Sequence, residues 1–484
     1  MVTYLLRMEA LDENDNPVTL RFSTAAYMDA EKNYWNPVIK VAGLYKAGLY
    51  AGRLLPSQRS GYGETTLMNL TGELDYLVDY AVDGRETVLY QVKDGGAPVE
   101  LVRATTLRLV FDTGEISIRL RDPVEVFGDN HPRTYYLGDN TLPEGLEGVE
   151  DDIKGQPKPR VFGSVSNASP TLVNSAKLIY QVSDTDCTVT RVWDNGAELT
   201  NGGVYPDLAT LQSTAPVAGE WRAYQGYVRL GATPVGMVTV DANTGGLAGA
   251  VITQIVTQAG QAFCPTCVTN LNSLGPIGYF LTSETTTMTM LDSISEGLGC
   301  YWRIASTGEV RMAAIPTPSA VEDWVLPDYL ALSITRSQSG SGDNGLPIHK
   351  ISLQADKVET VQTDLVGGAD PAHRARVAEE SRMVRAVDPT VKARHPLSQD
   401  WELQSHFRAL GDAQAVADAL LPIMAVRRDT VEVEVALPEL EGVSILQTVK
   451  VVHRKLGYQN GRNMLIIGVV LDSERDTATL SLWG

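Results

Sequence analysis

At 484 residues the chain is longer than the roughly 250 to 300 residues at which a single hydrophobic core stops growing, so several folded units are expected. Hydrophobic residues make up 43% and charged residues 20%, enough apolar surface to offset the entropy of ordering, which excludes a disordered chain. The formal charge of -19, from 59 acidic and 40 basic residues, excludes a surface built to grip duplex nucleic acid, because phosphate contacts need clustered Lys and Arg. An acidic wall suits a conduit through which DNA slides, and it suits plain solubility equally well.

The segment Met1–Arg7 shows no basic region followed by a long apolar run, and no stretch approaches about eighteen apolar residues, so neither a secretory signal nor membrane insertion is expected. Four cysteines are too few for a disulfide-scaffolded fold and fit a reducing compartment.

In chain order, Tyr4–Leu11 and Val18–Phe22 read as a hairpin with a long polar tip, and Leu74–Tyr80 with Thr87–Val92 as a second hairpin about Asp83-Gly84. Leu107–Phe111 and Glu115–Leu120 form a third. From Leu142 to Pro159 the composition shifts to Pro, Gly, Glu and Asp, the signature of an extended, solvated linker. Short strands follow at Lys177–Val182, Cys187–Trp193 and Tyr224–Leu230, with a turn at Asp194-Asn195-Gly196. Helical spacing links Val251, Ile255 and Ala259, then Met288, Leu291, Ile294 and Leu298, before a hairpin of Cys300–Ile304 and Glu309–Ala313 about Ser306-Thr307-Gly308. The last third carries one helix, from Asp412 as N-cap to Val426, with Ala415, Val416, Ala419, Leu420 and Ile423 on one face and Arg427-Arg428 at its negative end. Val431–Val435 alternates as a half-buried strand, and Thr448–Val452, Met464–Val470 and Thr477–Trp483 complete a meander.

The reading is a multidomain, mainly β fold with α+β inserts: two β-barrel-like domains at 1–145 and 321–484, a linker at 146–158, a small β-rich module at 159–245 and an α+β module at 246–320.

Motif-like strings are weighed against their context. Gly340–Gly345 has the spacing of a dinucleotide loop, but Leu346-Pro347 follows where a helix should open, which favours a plain linker. Cys264-Pro265-Thr266-Cys267 has the spacing of a redox pair or half a metal site, and Cys187 and Cys300 would raise the ligand count to four. Core thiols, a local disulfide, and an iron–sulfur or zinc site all stay open. The histidines His131, His349, His373, His395, His406 and His453 are scattered without a ligand grouping. Asp292 and Glu296 lie one helical turn apart, as a glycosidase pair could, yet the apolar face beside them places both on solvent. The aromatics Tyr34-Trp35, Tyr45, Tyr50, Tyr62, Tyr76 and Tyr80 divide between core packing and a protein interface.

Three passages resemble the baseplate hub or tail-tip proteins of long-tailed, siphovirus-like phages and gene transfer agents. One is Pro159–Pro170 with Lys177–Val182, a Phe-Gly strand, a loop and a Tyr-Gln-Val strand. The second is the helix and hairpin through Tyr301-Trp302-Arg303 and Thr307-Gly308-Glu309, and the third runs from Lys455–Arg462 to Leu482-Trp483-Gly484. The resemblance implies a non-enzymatic structural protein of the virion tail tip, assembled in the host cytoplasm. It implies a homotrimer whose two barrels per subunit form a ring. That ring would contact distal tail and tail tube proteins above and a central fibre or spike below, gating DNA ejection while phage DNA passes unbound through its lumen. No cofactor is expected, although some relatives carry an iron–sulfur cluster on cysteines, which marks Cys264 and Cys267 and, as further ligands, Cys187 and Cys300. A baseplate wall or polysaccharide hydrolase and a receptor-binding adhesin are the alternatives.

Overall fold

The computed structural model describes residues 2–49, 59–93, 96–121, 123–141, 145–305, 308–338, 345–436 and 443–484. The first sheet starts from Val2–Leu11, whose Leu6, Met8 and Ala10 fall at every second position and share one buried face. Pro17–Ser23 returns antiparallel with Pro17 opposite Leu11. On the other side come Glu86–Lys93, Val99–Asp112, Glu115–Arg121, Glu64–Met68 and Ile39–Val41, seven strands in all. Asp112 pairs with Glu115 across a two-residue turn in which Gly114 takes φ 85°, the conformation such a turn requires.

The end of the chain makes the second sheet, in the order Trp324–Leu326, Thr448–Val451, Arg462–Asp472, Thr477–Trp483, Asp429–Ala436 and Ala331–Gln338. Arg462–Asp472 is longer than its neighbour Thr448–Val451, and the edge left over, residues 468–472, pairs with Leu44–Gly48 from the start of the chain. Both sheets curl as half-barrels. The larger apolar faces of the two sheets close on each other: Leu6, Leu89, Ile116 and Ile118 share a core with Val433, Val449, Ile466 and Leu480, while the opposite faces carry the smaller clusters of Leu5, Trp35 and Val92 and of Leu465, Ile467 and Trp483. The Tyr4 hydroxyl donates to Asp476 at 2.7 Å across the same seam.

Two more cores lie between these sheets in sequence. In one, a pair of five-stranded sheets encloses Val165, Val189, Trp221, Val228 and Val240. In the other, the helices Ala248–Gln258, Thr287–Gly297 and Leu410–Met424 pack with the Cys300–Ile304 and Val310–Ala314 hairpin. A three-stranded sheet of Arg382–Val387, Lys350–Ala355 and Asp400–Gln404 completes it. The strand Arg160–Ala168 serves both: Val161, Val165 and Ala168 enter the β core, while Phe162 enters the helical one. Its first half pairs with Gly278–Leu281 and its second with Val238–Asn243. The switch falls at Gly163, φ 67°, where a Cβ would stand 2.1 Å from the Ile277 carbonyl oxygen. Its partner Gly278 is closer still, at 1.6 Å from the Ser164 oxygen, so only glycine fits either place.

These cores cross the divisions expected from sequence. Residues of 1–145 and 321–484 share one, and residues 348–424 pack with 248–315 in another. Leu74–Tyr80 is not a strand: Asp75–Asp79 is a 3-10 helix, and Leu74 and Leu77, three apart, are its buried face. The segment read as a solvated linker is docked. Its Leu146 and Ile153 pack with Tyr136, Val173, Ile179, Tyr205 and Leu211, Glu150–Ile153 is one helical turn, and the Asn174 amide donates to the Gly145 carbonyl at 2.6 Å. Residues 142–144 of that segment, 306–307 of the expected turn and 340–344 of the glycine-rich string lie outside the described residues. The last helix starts at Leu410 with Ala409 as N-cap, so Asp412 sits in the first turn instead, where its charge still suits the positive end. Its buried face is Ala413, Val416, Ala417, Leu420 and Met424, which leaves Ala415 and Ala419 in solvent. Arg428 caps the far end by donating to the Ile423 carbonyl at 3.2 Å.

Because the larger core of the first sheet is closed by the second, a fragment of residues 1–145 produced alone is expected to show no cooperative thermal transition by circular dichroism. A transition as sharp as that of the whole chain would contradict the shared core.

Candidate functional site

The densest polar constellation lies where the segment 130–136 and the strand Arg160–Ala168 meet the helical unit. Arg160 is 7% exposed, and its guanidinium forks onto Asp184, Nε to Oδ1 at 2.7 Å and Nη2 to Oδ2 at 2.5 Å. Its remaining nitrogen donates to the Pro132 carbonyl at 2.6 Å and to Gln258 at 2.9 Å. Arg133 donates to the carbonyls of Lys158, Leu281 and Ser283. His131, buried between Gln258 and Thr287, completes the clamp, and burial together with the nearby Arg160 and Arg133 holds its imidazole below the ordinary range. Sequence reasoning passed over Arg160 and Asp184. The available signal was a charge set at the end of each of two apolar strands, Arg160 before Val161-Phe162 and Asp184 after Tyr180-Gln181-Val182.

A second cluster ties the β module to the segment after Lys350–Ala355. Asp356 accepts from Arg376 at 2.8 Å, from Arg408 at 3.0 Å and from Arg382. Asn167, at φ 51° in a bulge of its strand, donates its backbone N–H to the Asp241 carboxylate at 2.8 Å and its side-chain amide to the Thr360 carbonyl at 2.6 Å. His373 stacks on Trp193 at 4.4 Å and 10°. Between them is a cleft of about 260 Å³ lined by Asn167, Trp193, Asp241, His373 and Arg376 among others. Asn167 Oδ1, His373 Nε2 and Arg376 Nη2 lack protein partners there, and at about 30 Å³ per water the cleft has room to hydrate all three. Each carboxylate of both clusters is held by arginine or backbone N–H groups, an arrangement that fixes segments in place.

The structure brings Cys264 and Cys267 together and leaves the other cysteines apart. Cys264 is the N-cap of the helix Pro265–Asn272, and hydrogen bonds from the Cys267 and Thr266 side chains pull its thiol below the usual range against the effect of burial. Cys300 lies against the Leu298 carbonyl at 3.5 Å, and Cys187 packs on the β core. Burial pushes both of those thiols up to about 12. Among the described residues no three His, Cys, Asp or Glu side chains converge where a metal ion could sit, so the residues do not fit a four-cysteine cluster.

Asp292 and Glu296 are half-buried rather than solvated, and Asp292 accepts from the Trp302 indole at 2.7 Å. His406 bonds Ser293 at 2.9 Å, while His349 and His453 pair with Asp400 and Asp328 at 3.0 and 2.9 Å. Of the N-terminal aromatics, Trp35 and Tyr45 are core residues, whereas Tyr34 and Tyr76 face solvent, 57% and 43% exposed. Tyr50 and the side chain of Tyr62 lie outside the described residues. Among the described residues no helix is long and apolar enough to cross a membrane.

The fold defines a multidomain, mainly β protein with two half-barrel sheets and α+β modules between them. No family model and no curated protein matches the sequence. Among solved structures the chain is similar to the 43 kDa tail protein of prophage MuSo2 from Shewanella oneidensis, at 10% identity over 99% of this chain and 98% of that one, with a TM-score of 0.43. It is similar to a tail protein from Neisseria meningitidis MC58, at 10% identity over 100% and 96% of the two chains and a TM-score of 0.39. A chain of a native gene transfer agent virion matches at 16% identity over 68% of this chain and 84% of that one, with a TM-score of 0.40.

Replacing Arg160 by Ala leaves Asp184 buried without its partner, so Arg160→Ala is expected to lower unfolding free energy by about 3 to 5 kcal/mol in urea denaturation. Acid should weaken the fold through His406, whose pKa burial lowers to about 4. The unfolded chain binds that proton first, near pH 6.5, so the contribution is complete above about 6.5 and falls by about 1.4 kcal/mol per pH unit down to about 4. Denaturation of the native chain and His406→Gln between pH 7.5 and 4.5 checks this, with the variant expected to show the shallower loss.

Proposed function

We propose that the chain is a structural subunit of a phage tail tip, the hub that joins the tail tube to the central fibre or spike, and that it works as a homotrimer in the virion without catalysing a reaction. The observation that carries the reading is the pair of half-barrel sheets, one from each end of the chain, joined by a common core and by the pairing of Leu44–Gly48 with Arg462–Asp472. Three copies present six such sheets, the count that a three-fold subunit needs to meet a six-fold tube. The terminal strands are Pro17–Ser23 and Ile39–Val41 in one sheet and Trp324–Leu326 and Ala331–Gln338 in the other; Arg21 and Ser23 already bond Asn36, and the edge backbone beyond that pairing is what a ring of copies can cover.

The passages of hub resemblance add support by their placement. Pro159–Pro170 contains the strand shared by two cores, and Lys455–Arg462 is the turn that leads into the longest strand of the second sheet. The charge of -19 agrees with a lumen that lets DNA pass.

Native mass spectrometry of the purified full chain at tens of micromolar is expected to show a species of three times the chain mass, and electron microscopy a three-fold ring. A strict monomer across that range, or turnover of a peptidoglycan substrate, would remove the reading.

A further inference from the structure

We propose that Cys264 and Cys267 form a redox-active dithiol, which closes to a disulfide under mild peroxide while Cys187 and Cys300 remain thiols.

The backbone sets the reach. The N–H of Cys267 donates to the Cys264 carbonyl at 3.0 Å, a tight turn that keeps the two Cα atoms within about 7 Å, the upper limit for a bond between their sulfurs. The Cys264 N–H is fixed to the Val310 carbonyl at 3.0 Å, so the backbone of the turn is anchored on the hairpin strand Val310–Ala314. The two thiols bear on each other's protonation: the Cys264 thiol is held below its usual range, while burial and the neighbouring Cys264 push the Cys267 thiol up.

The surroundings divide the labour. Cys264 is the N-cap of its helix, Pro265 follows at the first helical position, and the Thr266 hydroxyl lies 3.1 Å from the Cys264 sulfur. The Cys264 side chain makes no cap hydrogen bond to the helix N–H groups, so it is the Thr266 hydroxyl and the position at the positive helix end that favour its thiolate and make Cys264 the nucleophile. Cys264 is 4% exposed and Cys267 only half-buried, so a small oxidant arrives from the Cys267 side. Cys300, at 1% exposed, has no second sulfur beside it, and Cys187 sits in another core.

With hydrogen peroxide as oxidant, the Cys264 thiolate attacks one peroxide oxygen. The O–O bond breaks and the departing hydroxide is protonated to water, leaving a sulfenic acid. Cys267 then loses its proton and attacks the Cys264 sulfur. The S–S bond forms, the S–O bond breaks, and the hydroxyl leaves as a second water. Two thiols are oxidised by two electrons and one peroxide is reduced to two waters. The product staples the first turn of Pro265–Asn272, next to its anchor on Val310.

The test treats the full chain with peroxide, blocks remaining thiols with iodoacetamide under denaturing conditions, and maps the peptides. The expected result is the loss of two hydrogens across Cys264 and Cys267, reversed by dithiothreitol, with Cys187 and Cys300 alkylated in full. In Cys267→Ser a sulfenic acid at Cys264 should be trapped by dimedone, and Cys264→Ser should lower the rate of thiol loss by at least about tenfold. Alkylation of both Cys264 and Cys267 after peroxide, or oxidation of Cys300 at the same rate, overturns the proposal. The native chain alone decides this if either variant fails to fold.

Discussion

The architecture turns on one strand that has to serve two cores. Arg160–Ala168 sends Val161 and Val165 into the β module and Phe162 into the helical unit, so neither core can close without it. A strand with apolar residues on both faces is ordinary inside a layered fold, but here its hydrogen-bonding partner changes along its length as well. The change is possible because Gly163 adopts a left-handed conformation and Gly278 opposes it without a side chain. Any Cβ at either place would meet a carbonyl oxygen at 2.1 Å or less, and the two modules would be forced apart.

The charges buried around this strand follow from the same constraint. Arg160 with Asp184 and Arg408 with Asp356 sit at its two ends and join segments distant in sequence, where an apolar contact would tolerate sliding and a forked hydrogen bond does not. Such pairs contribute little net stability against a hydrophobic replacement, because desolvation offsets most of the attraction. Their effect is on register. Asp429, fully buried and held by Arg336 and Arg462 at 2.7 Å each, does the same inside the second sheet, where strands of similar Val-rich sequence could otherwise pair out of step.

What the sequence made legible was local. The turn Asp194-Asn195-Gly196 was readable because Asn and Gly accept the positive φ values of 47° and 84° found there. Val431, Val433 and Val435 alternated and proved buried. The same logic failed at Leu74–Tyr80, because two leucines three apart suit a 3-10 turn as well as alternation suits a strand, and only the neighbours decide. Alternation also says that a face is apolar without saying what covers it, so the joining of the first and last sheets could not be read. At the candidate sites, the spacing of Cys264 and Cys267 announced their contact. The isolation of Cys187 depends on which core its strand enters, that of Cys300 on its place within the core it shares with Cys267, and the roles of Arg160 and Asp184 on partners 24 residues apart.

A core built from both ends of a chain imposes an order on folding. Tyr4 and Asp476 are separated by 472 residues, and the first sheet must keep its apolar face while nearly all the rest of the chain is made. The other face of that sheet is mixed, with Leu5 and Val92 covered by Trp35 at one end and a charged patch beside them. Arg7 pairs with Glu86 and Glu86 with Arg103 across strands, and Arg103 with Glu100 along its own strand, a charged patch suited to water whether or not the opposite face is covered. Exposed pairs of this kind add little to stability, about 0 to 1 kcal/mol each, but they oppose flat stacking of half-formed sheets. The middle units have cores that draw on neither terminal sheet, and the late strands Arg462–Asp472 and Thr477–Trp483 are the ones that complete the apolar closure. The pairing of Leu44–Gly48 with Arg462–Asp472 draws on both ends of the chain, so it has to wait for Arg462–Asp472 to be made, and together with the shared core it joins the two half-barrels.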